Sequence, residues 1–394
     1  MITKQEYLDR MVNLKAQVAA NKLDAFVVSG TDSIYYLTGI SYLPFERPFF
    51  IIVKPDSAPS LLIPSLEKVH LQNAPNVDVV HSYWDYPSPA GQGWAEKLNE
   101  VLKGVKALGV EPTLPLEIHN QLKGFSIQVL PLVEQLRLVK SPAEVDMVRQ
   151  ASHYADLAVQ KAIAVSYYGV SDLELFSQSR AVQMQIMKDT EYQVLTTKVL
   201  CGAWPAPLSA QPHGVPKLED RLKEGPHIAL SLVRVNGYAA ECERTFFTVA
   251  PSDEVKTAFA AMTEARNRAF ATIEPGAKCA DIDVAANGFL REKGYGDRLL
   301  HRTGHGFGLG NHEGPWVAEG SDEILKENMI ISVEPGIYLP GIGGVRHSDT
   351  VLVTGGGYEL LTHYPTDLEL LVIKGARLLN RLRGSIIRSA IGMK

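Results

Sequence analysis

The amino-acid sequence predicts a mixed α and β protein with two domains, a smaller α/β domain followed by a larger α+β domain. The chain has 394 residues, which is two to three times the usual length of one domain. Its first third alternates helical and strand patterns, whereas the remainder places helices and strands in separate runs. The composition, with 45% hydrophobic and 21% charged residues, is that of a globular chain and excludes a disordered or collagen-like one.

The first domain is expected to span residues 1–135. Apolar residues from Tyr7 to Val18 recur at helical spacing, and a short buried strand at 25–28 follows that helix. A second helix is expected at 94–105. The remaining strands of this domain are expected at 49–53, 60–63 and 77–80.

The second domain is expected to span residues 136–373. Its first long helix can be capped by Ser141, and Pro142 suits the first turn. The dipeptide Asn236-Gly237 predicts the turn of a β-hairpin. Antiparallel strands are expected to dominate, with helices near 144–165, 171–189, 254–273 and 280–293 and strands near 227–233, 238–249, 329–334 and 349–353.

The last segment, residues 374–394, is a basic tail that contains lysines and arginines but no acid. A basic amphipathic helix can bind an anionic membrane or a partner, or it can pack on its own chain. The negative charge of the whole protein and the absence of aromatic anchors favour packing on the chain itself.

Charge, cysteine content and hydropathy exclude several classes of protein. A formal net charge of −5 argues against a nucleic-acid partner, which would require a basic surface. The three cysteines show no C-x-x-C spacing, so neither a zinc ribbon nor a disulfide scaffold is expected. The amino terminus lacks the apolar core of a signal peptide, and no run approaches the length that spans a bilayer. We therefore expect a cytoplasmic protein with no membrane partner.

Histidines and carboxylates concentrate in four segments of the second domain. Glycines in these segments let backbone approach closely, which indicates strands that converge on a pocket. The glycine-rich run 304–310 is not a dinucleotide loop, because no strand and acidic partner frame it. The candidate residues are His213 in the first segment, Glu241 and Glu243 in the second, His305 and His312 in the third, and Glu334 and His347 in the fourth.

These segments resemble the pita-bread superfamily of methionine aminopeptidase, aminopeptidase P, prolidase and creatinase. The resemblance covers essentially the whole chain, because the first domain is similar to the creatinase and prolidase amino-terminal domain. It implies an α+β pita-bread catalytic domain preceded by a smaller α/β domain of the creatinase/prolidase type. The motifs that carry it are Gly304-His305-Gly306-Phe307-Gly308, His312-Glu313 and Val333-Glu334-Pro335-Gly336.

The resemblance also implies five metal-ligand positions, and this chain departs from the pattern at three of them. Leu230 and Ser348 stand where the metallopeptidases have carboxylates, and Glu241 stands where they have an aspartate. His305 and Glu334 match the pattern. Two adjacent cations need several anionic oxygens to offset their repulsion. We therefore expect no paired-metal centre and no cofactor.

Metal-independent creatinase provides the first functional hypothesis. Glu243 precedes Arg244 as a substrate-binding glutamate does in creatinase, and His213 is similar to the creatinase acid/base histidine. The resemblance implies that Glu243 and Glu334 bind a cationic group while His213 transfers a proton between water and the leaving nitrogen. The substrate would be a small zwitterionic amidine, amide or N-substituted amino acid with a hydrolysable C–N bond.

The segment Phe45-Glu46-Arg47-Pro48 reproduces a creatinase motif that reaches into the neighbouring subunit. By this resemblance Phe45 and Arg47 would complete the partner's site, with Arg47 binding a substrate carboxylate bidentately. We therefore expect a homodimer. The remaining pocket residues by the same resemblance are Glu241, His305, His312 and His347.

Two alternatives stay open. One is a metallopeptidase that cleaves Xaa-Pro bonds with a single ion held by Glu241, His305 and Glu334, since one histidine and two carboxylates form a workable catalytic set. The other is a non-catalytic binding protein that has kept the fold. Retention of His213 together with Glu243 and Glu334 argues against the binding protein.

Overall fold

The computed structural model describes residues 2–71, 76–77, 79–374 and 377–393. The chain divides into two compact units, Met1–Leu138 and Val139–Lys394. In the part of the chain that the structure describes, no helix is long and apolar enough to cross a membrane.

The first unit is built on a six-stranded sheet whose order is β4-β3-β2-β1-β5-β6. Its strands are β1 (Ala25–Val28), β2 (Phe50–Val53), β3 (Ser60–Pro64), β4 (Val79–Tyr83), β5 (Ala107–Val110) and β6 (Ser126–Val129). Strand β2 is antiparallel to both neighbours, and the other pairs are parallel. The helices are α1 (Lys4–Ala20), α2 (Thr31–Thr38), α3 (Lys68–Leu71), α4 (Trp94–Val101), α5 (Leu116–His119) and α6 (Leu132–Leu138).

The centre of this sheet is apolar on both faces. Every residue of β1 and β2 is buried, as expected for strands covered on both sides. The expected strand at 77–80 lies at Val79–Tyr83, and residue 78 falls outside the described residues. The alternating pattern thus identified an α/β unit, with shifts of a few residues at element ends.

The second unit contains a larger, antiparallel sheet in the order β11-β10-β12-β15-β9-β8-β7, with β16 beside β15, and a separate β13-β14 pair. Its strands are β7 (Lys198–Trp204), β8 (His227–Val235), β9 (Tyr238–Phe246), β10 (Gly304–Gly306), β11 (Glu313–Val317), β12 (Ile330–Val333), β13 (Gly336–Leu339), β14 (Gly343–Arg346), β15 (Ser348–Thr354) and β16 (Gly357–Leu360). The helices are α7 (Pro142–Val165), α8 (Asp172–Phe176), α9 (Gln178–Asp189), α10 (Asp253–Thr272), α11 (Cys279–Asp283), α12 (Phe289–Glu292), α13 (Leu368–Leu371) and α14 (Leu378–Ala390).

Helix α7 begins as the sequence predicts. Ser141 and Glu144 form a capping box, and Pro142 occupies the first turn, so the orphan N–H groups of that turn have partners. The helix packs against β8 and β9. Ser231 Oγ donates to Ala155 O at 2.9 Å, which directs the Ser231 side chain towards α7.

Two expected helices are interrupted. The one expected at 171–189 divides into α8 and α9. The one expected at 280–293 contains a π-helical turn, Val284–Gly288, between α11 and α12. Within that turn Asn287 Nδ2 donates to Asp283 Oδ1 at 2.9 Å, and Asp283 Oδ1 also accepts from Thr303 N at 2.7 Å.

The hairpin of β8 and β9 sets the register on which the site depends. Asn236 and Gly237 both have positive φ, 48° and 96°, as a two-residue hairpin turn of the primed type requires. The resulting register places Leu230 opposite Glu243 and Leu232 opposite Glu241. Cross-strand partners share a face of the sheet, so both glutamates project from the same face as the two leucines.

Helix α14 of the basic tail packs on its own unit. Arg388 forms an ion pair with Glu174 and lies 3.3 Å from Tyr167 Oη. Asn380 Nδ2 donates to Ala164 O at 2.8 Å. The polar side of the helix therefore faces α7 and α8, in agreement with the expectation that the tail packs on the chain.

Candidate active site

Three glutamates from different parts of the second unit form the centre of the candidate site. Glu241 and Glu243 lie on β9, and Glu334 follows β12 directly. Each offers a carboxylate oxygen within 4.8 Å of the other two. Glu241 and Glu243 are 3% and 2% exposed, so these charges depend on protein partners rather than water.

Glu243 already has a cationic partner. Arg346, the last residue of β14, binds it through both arms of the guanidinium, with Nη2 2.7 Å from Oε1 and Nε bonded to Oε2. Both side chains are buried, and this bidentate geometry is the strong form of a carboxylate–guanidinium pair. The creatinase-like hypothesis expected Glu243 to bind a cationic substrate group, but in the structure Arg346 occupies that carboxylate.

A hydrogen-bonded chain continues from Arg346 to Tyr338 and His301. Arg346 Nη1 donates to Tyr338 Oη at 2.9 Å, and Tyr338 Oη lies 2.7 Å from His301 Nε2. His301 Nδ1 lies 2.7 Å from Arg302 O. Because a carbonyl can only accept, Nδ1 carries the proton, and Nε2 accepts from the tyrosine. Burial and the Arg346 charge lower the pKa of His301, against the opposing effect of Glu334, which agrees with a neutral ring.

His305 faces Glu334 with a nitrogen that requires a proton or a cation. Its Nδ1 lies 3.1 Å from Gly306 O and therefore donates in the neutral ring. Its buried Nε2 lies 3.2 Å from Glu334 Oε1 without a hydrogen bond in acceptable geometry among the described residues. A neutral imidazole would therefore turn a lone pair towards a carboxylate. Burial opposes ionisation of Glu334, but His305, His301 and Arg346 lower the pKa of that carboxyl to about 2.

His312 and His213 lie at the outer side of the cluster. The His312 ring is 3.9 Å from the His305 ring, centroid to centroid, and its side chain is exposed. His213 is exposed in the loop after a 3-10 turn, Leu208–Ala210. Burial and then the neighbouring His305, Arg302 and His213 lower the pKa of His312 to about 4. Among the described residues no hydrogen bond joins His213 to the cluster, so its acid/base role stays a prediction.

Glu241 is a buried carboxyl whose surroundings favour the protonated form. Burial raises its pKa well above the usual range, and the charges of Glu243 and Glu334 raise it further. Ser348 Oγ donates to Glu241 Oε1 at 2.6 Å and opposes this shift. Glu241 and Glu334 thus have pKa values shifted in opposite directions, and an ion bound by Glu241 would have to displace its proton.

The residues present do not fit a pair of divalent ions. At one ligand position that the sequence resemblance implies, Leu230 faces Glu243 across the hairpin and offers no oxygen. At another, Ser348 donates its hydroxyl proton to Glu241. The added carboxylate of Glu243 is neutralised by Arg346. Too few uncompensated oxygens therefore remain to offset the repulsion of two cations.

The same residues do fit one ion. Glu241, His305 and His312 each present a ligand atom, and the three atoms lie within 4.8 Å of one another. One carboxylate and two imidazoles form an established set for a catalytic zinc ion. An ion at this place would also give the His305 Nε2 lone pair a partner.

The structure does not bring His347 into this cluster. Its ring is completely buried and packs edge-on against Phe259, with 5.1 Å between the centroids. Its Nδ1 accepts from Thr245 N at 3.3 Å.

Phe45 and Arg47 belong to the first unit. Phe45 is 76% exposed and has a positive φ of 49°. Arg47 Nε donates to Asp85 Oδ1 at 2.6 Å, and its Nη1 lies 3.0 Å from Glu46 Oε1. Binding of a substrate carboxylate by Arg47 would therefore compete with two acids of its own unit.

Sequence analysis missed Arg346, Tyr338 and His301 as residues of the site. A signal for Arg346 was present, because an arginine within a buried run needs a carboxylate, and Glu243 is an acid that the metallopeptidase pattern does not require. No comparable signal marked Tyr338 or His301, since aromatic and histidine residues at such spacing are common in cores.

Comparisons with known proteins identify the class to which this fold and site belong. The family model described as "Metallopeptidase family M24" matches residues 146–355. The family model described as "Creatinase/Prolidase N-terminal domain" matches residues 10–139. An uncharacterised peptidase of Staphylococcus aureus is 31% identical over 347 residues, which cover 86% of this chain and 95% of that protein.

Two solved structures are similar over nearly the whole chain. The prolidase from Pyrococcus horikoshii OT3 superposes with a TM-score of 0.78 at 27% identity, covering 91% of this chain and 99% of that one. The Xaa-Pro dipeptidase from Bacillus anthracis has a TM-score of 0.78 at 25% identity, covering 93% and 100%. The chain therefore belongs to metallopeptidase family M24 and is a hydrolase of that family with a creatinase/prolidase amino-terminal domain.

This result confirms the predicted fold and superfamily. It favours the peptidase alternative over the metal-independent creatinase-like hypothesis, since the matched proteins are named as peptidases, a prolidase and a dipeptidase.

Proposed function

We propose that the chain hydrolyses the C–N bond of a dipeptide or a small dipeptide-like amino-acid derivative, with Xaa-Pro dipeptides as the leading class. The observation that carries this proposal is the cluster of Glu241, His305 and His312, with ligand atoms within 4.8 Å of one another, on a fold similar to those of a named prolidase and a named Xaa-Pro dipeptidase.

In this proposal one divalent ion binds to Glu241, His305 and His312. When bound, such an ion would supply Lewis-acid chemistry at the scissile carbonyl. Glu334, ionised and beside His305, accepts a hydrogen bond from the attacking water and orients it. His213, exposed in its loop, takes a proton from that water as it attacks the carbonyl carbon and gives it to the leaving nitrogen as the C–N bond breaks. Arg346 occupies the Glu243 carboxylate in a bidentate ion pair, so Glu243 is given no role in holding the ion or the water.

A second candidate is the metal-independent hydrolysis of a small zwitterion, and one observation favours it. The two positions that would supply further metal oxygens are Leu230 and Ser348, and Arg346 adds a buried positive charge near the cluster. In that case His305 carries the second proton that its contact with Glu334 requires, and His213 takes the proton from water as it attacks.

Metal content and substrate choice separate the two candidates. Protein purified without added metal would be analysed for bound ions and assayed with Xaa-Pro dipeptides and with creatine, before and after chelation and re-addition of Zn²⁺ or Mn²⁺. The first proposal expects dipeptide hydrolysis that chelation abolishes, with no more than one ion per chain. Turnover that survives complete removal of metal supports the second candidate, and two ions per chain contradict both.

We also propose that the active form is a homodimer, as the Phe45–Pro48 segment implies, and that it acts in the cytoplasm. The exposed aromatic ring of Phe45, held on a strained turn, is suited to burial against a second subunit. Light scattering on wild type and Phe45→Ser would test this. A wild-type monomer with full activity would contradict the dimer.

A further inference from the structure

Arg302 is an arginine beside the cluster whose guanidinium is held in place from two sides. Its Nε donates to Gly304 O at 3.0 Å, and its guanidinium carbon lies 4.5 Å from the centre of the Trp316 ring. Arg302 is half-buried, and Trp316 is 40% exposed. The carbonyl and the indole face together fix the plane of the guanidinium and leave its terminal nitrogens for another partner.

Other arginines near the site are paired with acids, and Arg302 is not. Arg346 binds Glu243, and both Arg244 and Arg266 bind Asp349. Among the described residues no carboxylate forms an ion pair with Arg302, and the carbonyl and indole contacts are the ones it makes. A guanidinium always carries its charge, so Arg302 presents an uncompensated positive charge at this place.

That charge lies beside the candidate catalytic residues. Arg302 stands three positions before His305, and Gly304, which accepts its Nε–H, begins β10. The chain continues from β10 to His312, whose ring is 3.9 Å from that of His305. Arg302 is thus anchored to the carbonyl of the residue that precedes His305, on the strand that carries a candidate metal ligand.

We propose that Arg302 binds the free carboxylate of the substrate and thereby selects dipeptides over longer peptides. This inference rests on the proposed function and names the substrate feature that the site recognises. The carboxylate of a dipeptide lies on the residue that follows the scissile bond, and each added residue moves it by about 3.8 Å along the backbone. A fixed guanidinium fork matches a carboxylate in a bidentate manner, so its position selects one substrate length.

The test compares an Xaa-Pro dipeptide with its carboxyl-terminal amide, which lacks the negative charge. Wild type is expected to prefer the free acid by about 10- to 100-fold in kcat/KM, the range of a charge-assisted hydrogen-bonded pair. Arg302→Met should abolish this preference by raising KM for the acid with little change for the amide and little change in kcat. Arg302→Lys should restore part of the preference, because it restores the charge without the fork.

Arg291→Met is the matched control, because Arg291 pairs with Glu319 on the surface of the same unit and should leave both substrates unaffected. The inference would be overturned if wild type hydrolysed the acid and the amide with equal kcat/KM. It would also be overturned if Arg302→Met lowered kcat/KM equally for both substrates. If wild type cleaves neither compound, the proposed function fails separately. The binding of the same two ligands, measured by calorimetry, then tests the role of Arg302. Tighter binding of the acid than of the amide, lost in Arg302→Met, supports the inference. Equal binding of the two ligands by wild type refutes it.

Discussion

Buried charges in this protein are arranged as specific pairs, and the pair of Glu243 and Arg346 is the one that most affects the site. Both side chains are almost fully buried, and each satisfies the other through two hydrogen bonds. The gain from such a pair over an apolar replacement is small, but loss of one partner leaves an uncompensated charge in the interior.

We predict that Arg346→Met lowers the free energy of unfolding by about 3 to 5 kcal/mol, because it strands the Glu243 carboxylate. Glu243→Gln in the same chain should recover a large part of that loss. Denaturant unfolding of the two single variants and the double variant measures the coupling. Additive losses in the double variant would show that the two groups do not depend on each other.

His227 provides a pH-dependent contribution away from the catalytic cluster. Its Nδ1 accepts from Ala206 N at 2.9 Å, and Nε2 lies 3.2 Å from Lys223 O, so both nitrogens are used by the neutral ring. Burial lowers the pKa of His227 from 6.5 to about 4.

We predict that stability falls as the pH drops from 6.5 to about 4. The unfolded chain takes up a proton on His227 near pH 6.5, whereas the native chain cannot until the pH reaches about 4. The unfolded state is therefore favoured by up to about 1.4 kcal/mol per pH unit within that window. His227→Gln should remove this part of the slope in denaturant unfolding at a series of pH values. An unchanged slope would mean that the native protein protonates His227 normally.

At the scale of elements, three adjacent strands decide which metal content the site can support. The β8–β9 hairpin places Leu230 opposite Glu243, and β15 places Ser348 opposite the same residue. Strand alternation thus places Leu230 and Ser348 on this face of the sheet. By the sequence resemblance, carboxylates at these two positions would bind a second ion. The side chains at these two positions lack the charge that a second ion would require.

We predict that Leu230→Asp combined with Ser348→Glu raises the number of divalent ions bound per chain from at most one towards two. The added carboxylates supply the anionic oxygens that a second cation requires. Elemental analysis after dialysis against Mn²⁺ or Zn²⁺ measures the result. The matched control is Leu230→Asn with Ser348→Gln, which has similar shape without charge and should not bind more metal. An equal metal content in both double variants would contradict the charge argument.

At the scale of the whole molecule, each unit has its own sheet and core, and the basic tail is part of the second unit. Helix α14 packs through its polar side, where Arg388 pairs with Glu174 and the bare backbone of Gly384 fits against the Glu174 carboxylate. A side-chain carbon at 384 would lie within 2 Å of a carboxylate oxygen. The position of the tail therefore depends on a few polar contacts rather than on an apolar face.

We predict that Arg388→Met releases α14 from the second unit. Amide hydrogen exchange along 378–390 should become roughly tenfold faster or more, the equivalent of losing one charge-assisted hydrogen bond. Arg383→Met is the control, because Arg383 is exposed on the same helix and should leave exchange unchanged. Equal effects of the two substitutions would show that helix propensity, not the Arg388 contact, holds the tail.

Much of the architecture could be predicted from local patterns because those patterns act over a few residues. The capping residues Ser141 and Glu144 begin α7, and Asn236-Gly237 forms the hairpin turn, as the sequence indicates. The breaks within the expected helices at 171–189 and 280–293 could not be predicted, because side chains distant in sequence, such as Asp283 bonded to Thr303 N, take part in them.

Residue identity and short-range spacing are enough to predict the family, the order of the elements and the absence of carboxylates at positions 230 and 348. Which charges neutralise one another depends on contacts between residues that are distant in the chain. Arg346 lies 103 positions from Glu243 and turns an expected substrate-binding carboxylate into a buried ion pair, and His347 packs against Phe259 instead of the cluster. The free energy of a buried charge depends on what surrounds it in space, and spacing along the chain does not fix those surroundings.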